Sequence, residues 1–209
     1  MVERTQGLIL RTHPLTETSL IVRWLTPDAG RIATVAKGAR RTNSPLRGKL
    51  DLFYLADFSF SRSPRSDLHT LREVVLRETH SPLRKELGYL QQASYCAALI
   101  EQTTETETPL PAVFKLMKDL LNHLPTRPPQ SATTFTFEIK LLVELGLKPD
   151  LSKSKLTPGA KRIVGALSMN DWTALSRLKL SDAQVAELRQ FLHGFLIFHL
   201  GKIPKGRTI

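Results

Sequence analysis

The sequence predicts an α+β multidomain protein, with a five-stranded β-barrel over residues 1–80 and an all-α helical bundle over residues 81–209. Three observations support this division. The first 80 residues contain short β-branched and apolar runs separated by turn sequences. From Ser81 onward the apolar residues recur at helical spacing. A chain of 209 residues that is 41% hydrophobic and 23% charged has the length and composition of two small globular cores.

The strand predictions centre on a hairpin. Residues 18–26 are β-branched and apolar, and Pro27-Asp28-Ala29-Gly30 follows with turn chemistry, because proline presets φ and glycine accepts a positive φ. Residues 31–37 form the returning strand. Three further runs complete a set of five, at residues 6–11, 52–60 and 68–78. Five short strands favour a closed barrel over an open sheet, since closure removes exposed edges.

The helix predictions rest on apolar spacing together with start and stop signals. Ser81-Pro82 supplies a cap and a proline at the start of a first helix, and a second helix opens at Pro109. A third helix covers residues 131–145 and ends at Gly146, which is a typical C-cap. The remaining features are a Lys/Ser loop at residues 151–158 and a long last helix at residues 181–200.

The charge balance is the strongest functional indication in the composition. The chain has 30 Lys and Arg residues against 19 Asp and Glu, a net charge of +11, and such an excess usually implies a polyanionic partner. Residues 1–80 carry +5, residues 81–147 carry −1 and residues 148–209 carry +7. The positive charge of the two ends of the chain suggests nucleic-acid contact. Because residues 148–209 carry the larger part of that charge, it stays open whether the binding surface extends past the barrel.

A loop after the hairpin, residues 37–49, carries the clearest binding signal and is called the basic loop below. It contains five cations, two glycines and no acid. Phosphate contacts use Arg, Lys and exposed backbone N–H groups, and loops of small barrels commonly bind oligonucleotides. The alternative is a loop that is merely solvated. The predicted contacts are Lys37, Gly38, Arg40, Arg41, Arg47 and Lys49, with Arg31, Arg62 and Arg65 as candidate extensions.

Aromatic side chains near the basic loop are candidates for stacking on bases. Tyr54, Phe58 and Phe60 share strand parity with Leu52, which predicts a core position for them. Phe53 has the opposite parity and is the better stacking candidate; Trp24 is a further one. At the other end of the chain, the basic segment after the last helix predicts additional phosphate contacts from Lys202, Lys205 and Arg207.

Several classes of protein are not expected. The single cysteine, Cys96, excludes a disulfide framework and a multi-thiolate metal site, and its helical surroundings predict a small buried hydrophobe. The six histidines lack ligand spacing and no carboxylate pair suggests metal-assisted chemistry, so we expect no enzyme activity, no metal and no cofactor. Apolar runs are shorter than a membrane span and the N-terminus lacks a signal sequence, so we expect a cytoplasmic protein without a membrane partner.

The segments around the hairpin carry a resemblance to a known family. Residues 16–22, 25–31 and 35–41 resemble the N-terminal domain of the RecO family of DNA repair proteins, and Ala36-Lys37-Gly38-Ala39-Arg40-Arg41 is the most specific part. Residues 137–150 are similar to the helical segment of that family, and residues 199–202 to its last helix. The resemblance spans nearly the whole chain in the right order.

The resemblance implies an OB-fold joined to a helical domain and a recombination mediator of RecF-pathway repair, associated with the nucleoid. Such proteins bind single- and double-stranded DNA, anneal complementary strands and help to load RecA onto strands coated by single-strand-binding protein. The implied protein partners are RecR and the tail of that coating protein. Lys37, Gly38, Arg40 and Arg41 fall on the basic OB-fold motif of the family, and Gly30 falls on its hairpin turn.

One feature departs from the family pattern. Many relatives carry two C-x-x-C pairs as a zinc site shortly after the segment that resembles residues 137–150. This chain has residues 151–158 there, a Lys/Ser loop without cysteine. Since four thiolates are the usual structural zinc set, no zinc is expected at this place.

Two other functions are compatible with the sequence. The nearly neutral helical middle is suited to an adaptor that captures an acidic, aromatic-ended peptide in a groove. The charge pattern also suits an RNA-binding or ribosome-associated OB-fold protein. Only the resemblance to the RecO family argues against this alternative.

Overall fold

The computed structural model describes residues 1–169, 171–175 and 178–207. The chain forms two compact units. One comprises Met1–Ser81 together with Thr104–Lys118, and the other comprises Pro82–Thr103 and Asp119–Ile209. The first unit therefore includes a segment beyond residue 80, and the sequence-based boundary at that residue stays a prediction.

The first unit is a closed five-stranded barrel, as the sequence predicts. Its strands neighbour each other in the order β1-β2-β3-β5-β4, and all pairs are antiparallel except β3 with β5. A register shift between Ile9 and Arg11 bends β1 where it passes from β4 to β2. The strands are β1 (Val2–Pro14), β2 (Leu20–Thr26), β3 (Gly30–Ala36), β4 (Leu55–Ser61) and β5 (Leu68–Glu78).

The barrel is filled by a compact aromatic and aliphatic core. Trp24 and Phe58 stack with ring centroids 4.0 Å apart, and Phe60 lies next to Phe58. The Trp24 indole Nε1 donates a hydrogen bond of 2.9 Å to the buried Thr34 hydroxyl, so the one polar atom of this side chain is satisfied inside the core. The predicted core positions of Phe58 and Phe60 are confirmed, and Tyr54 packs partly buried against the same cluster.

The prediction that Phe53 is exposed for stacking is wrong. The sequence pattern suggested one strand from Leu52, but the strand begins at Leu55, and Phe53 lies before it with a left-handed φ of 64°. Its backbone N–H donates to Ile9 O at 2.8 Å, and only 1% of the residue is exposed. Parity along a strand therefore does not apply to Phe53, whose ring is buried.

The second region is helical, which confirms the predicted fold class. The N-cap Ser181 and Gln184 form a capping box at the start of the last helix, and Gly146 with φ 74° follows the third helix. The α-helices are α1 (Leu87–Thr103), α2 (Pro111–His123), α3 (Ser131–Glu144), α4 (Pro158–Met169), α5 (Trp172–Leu175) and α6 (Asp182–Leu200). Short 3-10 turns cover Ser81–Lys85, Leu124–Thr126 and Leu151–Lys153.

The core of the helical unit lies between α3, α4 and α6. Leu188, Leu192 and Leu196 recur at helical spacing along α6 and are fully buried. Phe135 and Ile139 of α3 are also fully buried, and they pack with Leu188 and Leu192 in one cluster. Cys96 of α1 is buried, and burial raises the pKa of its thiol. Among the described residues, no helix combines the length and apolarity needed to cross a membrane.

Candidate nucleic-acid interface

The basic loop, residues 37–49, is an ordered succession of tight turns. Each turn is closed by a backbone hydrogen bond from the N–H of one residue to the carbonyl three residues earlier. Gly38 takes a left-handed φ of 66° at the entry, where a Cβ would add strain. The bonds join Arg41 to Gly38, Ser44 to Arg41, Arg47 to Ser44 and Lys49 to Leu46, at 3.0–3.2 Å.

Two apolar side chains anchor the basic loop to the barrel. Ala39 and Leu46 are 6% and 8% exposed and belong to the barrel core cluster. The turn between β1 and β2 gives further support, because Thr18 O accepts the Arg40 N–H at 2.9 Å and the Ser19 hydroxyl accepts the Gly38 N–H at 3.3 Å. These contacts hold the backbone of the basic loop against the barrel. The backbone in turn determines where the five cations of the loop are attached.

The cations of the basic loop point away from this anchor. Lys37, Arg40, Arg41 and Arg47 are exposed, and Lys49 is half-buried. Arg40 donates to Thr16 O at 3.3 Å and Arg47 to Thr42 O at 3.1 Å. Within the part of the chain that the structure describes, none of these five side chains has a carboxylate within 4.0 Å. An anion can approach them without first breaking an ion pair.

Arg62 and Arg65 lie at the opposite end of the barrel from the basic loop. Ser61, directly before them, pairs with Val2 at the start of β1, whereas the end of β1 pairs with Leu20, the partner of Ala36. Arg65 is exposed. Arg62 donates to Glu3 and to Glu107, both at 2.6 Å, and the hydrogen bond to Glu3 is the main cause of its raised pKa. These two arginines do not extend the basic loop.

Arg31 holds a segment from outside the five strands against the barrel. Its Nε donates to the Thr104 hydroxyl at 2.7 Å and its Nη2 donates to Thr104 O, while Arg31 O accepts the Glu107 N–H at 2.9 Å. The side chain is half-buried. Its guanidinium is engaged in joining the Thr104–Lys118 segment to β3, which is a structural role in this unit.

The three predicted C-terminal contacts differ in their surroundings. Lys202 and Lys205 are exposed. Arg207 pairs with Glu138 at 2.7 Å and its side chain is only 9% exposed. Glu138 is fully buried, and its carboxylate already balances the charge of Arg207 within the helical unit. Lys202 and Lys205 stay predicted phosphate contacts, and we leave Arg207 out of the proposed surface.

The aromatic residues of the barrel offer no stacking platform near the basic loop. Trp24, Phe53, Phe58 and Phe60 are each no more than 3% exposed, and Tyr54 packs partly buried against the core. Stacking on bases needs an accessible ring face. The geometry therefore favours contacts to phosphates over contacts to bases.

Two arginines on the outer face of the barrel were missed by the sequence analysis. Arg11 and Arg23 are exposed and are Cα partners in the β1–β2 ladder. Arg23 stands between buried Val22 and Trp24, so period-two alternation could have placed it on the outer face. Arg11 lies beside a bulge, where that pattern breaks down.

Comparison with known proteins agrees with this architecture. Residues 1–80 match the family described as Recombination protein O N terminal, and residues 84–155 match Recombination protein O C terminal. The chain belongs to the RecO family. Its barrel is the OB-fold of the N-terminal family match, and the prediction of this family from the sequence is confirmed.

Curated members of the RecO family show how much of the chain is shared. The DNA repair protein RecO of Bacillus pumilus is 31% identical over 153 residues, which is 73% of this chain and 59% of the relative. Those of Bacillus subtilis and Listeria monocytogenes are 30% identical over 152 residues, with the same coverage. The chain therefore matches about three fifths of the length of these relatives.

Proposed function

We propose that this chain is a non-enzymatic DNA-binding recombination mediator of RecF-pathway repair. It binds single- and double-stranded DNA, anneals complementary strands and, with RecR, helps to load RecA onto strands coated by single-strand-binding protein. Membership of the RecO family supports the pathway and the partners. The observation that carries DNA binding is the basic loop, whose five cations have no carboxylate within 4.0 Å among the described residues.

The basic loop binds the phosphate backbone through charge and exposed donors. Each cation that neutralises a phosphate releases condensed counterions, so the affinity falls steeply with salt. The anchors Ala39 and Leu46 support this role, because they hold the loop backbone in place before DNA arrives. Less conformational entropy is therefore lost when DNA binds. Arg40 and Arg41 supply forked donors that suit phosphate oxygens, and Lys37 adds a compact charge.

The proposed mode of binding is indifferent to sequence and to strandedness. Phosphate contacts position a protein on nucleic acid but carry no base information. The buried positions of Trp24, Phe53, Phe58 and Phe60 support this mode, because base stacking would require exposed rings. Annealing follows from the same chemistry, since two strands that are partly neutralised by one surface repel each other less.

Annealing of two complementary strands by the full chain tests the proposal. The triple variant Lys37→Ala, Arg40→Ala and Arg41→Ala should lose most of the acceleration of annealing. The matched control, Arg65→Ala with Lys153→Ala and Lys155→Ala, removes three exposed cations elsewhere and should anneal as the unchanged chain does. Equal loss in both variants would show that net charge matters and the basic loop does not, and full activity of the first would overturn the proposal.

A further inference from the structure

We propose that an exposed row of aromatic side chains at the end of α6 is a stacking platform for unpaired DNA bases. The row consists of Phe191, Phe195, Phe198 and His199 and is called the aromatic row below. This inference rests on the proposed function, in which the basic loop contacts phosphates and does not distinguish single from double strands. The aromatic row adds a preference for single strands, and its ligand is DNA with accessible bases.

The aromatic row leads along α6 from the core of the helical unit into solvent. The ring centroids of Phe191 and Phe195 are 6.0 Å apart, and those of Phe195 and His199 are 4.4 Å apart. Phe198 and His199 meet edge to face at 5.0 Å. Phe191 packs against the core cluster, whereas Phe198 is 83% exposed. Contiguous exposed apolar patches, unlike single exposed side chains, mark binding surfaces.

The segment that carries the aromatic row is basic. Residues 188–209 contain four Lys and Arg residues and no Asp or Glu. Lys202 follows Phe198 by about one helical turn, roughly 5.4 Å. Within the described residues, neither Lys202 nor Lys205 has a carboxylate within 4.0 Å. Single-stranded nucleic acid is bound by this combination, with bases on the rings and phosphates at the cations.

Contacts at the end of α6 hold the backbone of Lys202 close to the aromatic row. The Gly201 N–H donates to Ile197 O at 2.8 Å, which closes the last turn of the helix. Gln102 of α1 donates from Nε2 to Lys202 O at 2.6 Å. The backbone at Lys202 is therefore positioned before DNA binds, and less conformational entropy is lost on binding.

Two other occupants fit the aromatic row less well. A second copy of this chain would bring the same lysines together across a two-fold axis, and like charges that face each other in an interface are costly. An acidic peptide would need a cavity for its apolar side chains. A cavity along α6 is lined by Ala186, Gln190 and His193, among others, and by none of the four rings. A flat base needs only an accessible ring face, which Phe198 provides.

Replacing one ring separates base stacking from phosphate contact. In the full chain, Phe198→Leu keeps an apolar side chain and a good helix former but removes the flat ring. It should bind oligothymidine of about 20 nucleotides at least about 5-fold more weakly, the lower end for one stacked base. The slope of log affinity against log salt should not change, because no phosphate contact is lost.

Two controls accompany this variant. Phe198→Leu should bind duplex DNA as the unchanged chain does, because paired bases are not available to the ring; unchanged duplex binding also shows that the variant is folded. Leu87→Ala shortens another exposed apolar side chain of the helical unit, which is 66% exposed, and should change neither affinity.

Phe198→Trp gives a direct signal of stacking. The variant keeps a flat ring and should bind oligothymidine at least as tightly as the unchanged chain. A base that stacks on an indole quenches its fluorescence. The unchanged chain has two tryptophans, so the additional quenching in the variant reports on position 198. Single-stranded DNA should produce this additional quenching, and duplex DNA should not.

The outcomes distinguish this inference from the proposed function. If the basic-loop triple variant changes neither in affinity nor in salt slope, the proposed function fails. If that variant behaves as expected but Phe198→Leu binds oligothymidine like the unchanged chain, the stacking platform does not exist. The same conclusion follows if the indole in Phe198→Trp is not quenched, or is quenched equally by duplex DNA. Loss of a dimer in Phe198→Leu, measured by sedimentation, with unchanged DNA affinity would assign the aromatic row to a second copy instead.

Discussion

Arg207 donates two hydrogen bonds to the carboxylate of Glu138, at 2.7 and 2.8 Å. The Tyr95 hydroxyl donates to the same carboxylate at 2.5 Å, and Glu138 is fully buried. Burial opposes the charged form of Arg207, but the hydrogen bonds and charge of Glu138 outweigh it and raise the pKa of the guanidinium. Burial, followed by the charge of Glu138, also raises the pKa of Tyr95. The pair fastens the segment after α6 to the helical unit.

Replacing Arg207 should therefore destabilise the protein. Arg207→Ala leaves the Glu138 carboxylate buried without its partner, and such a loss costs about 3–5 kcal/mol of the free energy of unfolding. The measurement is urea unfolding followed by circular dichroism. The double variant Arg207→Met with Glu138→Leu should be much less destabilised, because no buried charge is left unpaired. Equal destabilisation by the single and double variants would contradict this account of the pair.

Two glycines in turns of the barrel unit allow a matched pair of substitutions that tests how closely another segment approaches one of them. Gly30 and Gly48 both have a positive φ, at 65° and 73°. A Cβ at Gly30 would lie 2.0 Å from Thr108 O, whereas a Cβ at Gly48 would meet nothing within 4 Å. Gly48→Ala should cost about 1–2 kcal/mol from backbone strain alone. Gly30→Ala should cost about 1–3 kcal/mol more, from overpacking. Equal unfolding free energies for the two variants would contradict the close approach of the Thr104–Lys118 segment.

The sequence predicted those features of the fold that are encoded locally. The turn at Gly30, the strand over residues 68–78 and the long last helix predicted at residues 181–200 depend on neighbouring residues, and all three are present. Phe53 was misassigned because one left-handed residue before β4 breaks the period-two pattern. A strand pattern carries no sign of such a break.

The candidate site was predictable only in part. Whether a cation is available to bind a phosphate or is already paired with a carboxylate depends on residues far away in the sequence. Glu107 is 45 residues from Arg62, and Glu138 is 69 residues from Arg207. No local pattern reveals such pairs. The basic loop could be singled out because its cations, glycines and lack of acids are contiguous. The opposition of Arg11 and Arg23 required the register of the β1–β2 ladder.

His123 predicts a dependence of stability on pH. Burial, and secondarily the charge of Arg127, lowers the pKa of His123 below its usual value, and its ring lies 5.0 Å from that of Trp172. The unfolded chain takes up the proton first as the pH falls, so stability should decrease as the pH drops from about 6.5 toward the lowered pKa. His123→Gln should remove this part of the decrease in the urea midpoint between about pH 7 and pH 5. If the urea midpoint of the His123→Gln variant depends on pH in the same way as that of the unchanged chain, His123 is not the cause of the decrease.

Glu17 is an exposed acid in the turn that supports the basic loop. Its neighbours Thr16 and Thr18 accept hydrogen bonds from Arg40, so its charge lies close to the proposed path of the phosphates. Glu17→Gln should strengthen binding of single-stranded DNA by about 2–5-fold at low salt, because a charge at about 4 Å contributes on the order of 1 kcal/mol in water. The gain should vanish at high salt. Fluorescence anisotropy at two salt concentrations measures both effects, and weaker binding would contradict the placement.

The salt dependence of single-stranded DNA binding tests the central claim most directly. Log affinity is measured against log salt for the unchanged chain, for the variant with Lys37, Arg40 and Arg41 replaced by Ala, and for the control with Arg65, Lys153 and Lys155 replaced by Ala. If the three cations of the basic loop each contact a phosphate, the slope of the first variant is flatter by about 2, at about 0.7 per contact, and that of the control is unchanged. An unchanged slope in the basic-loop variant would contradict the account.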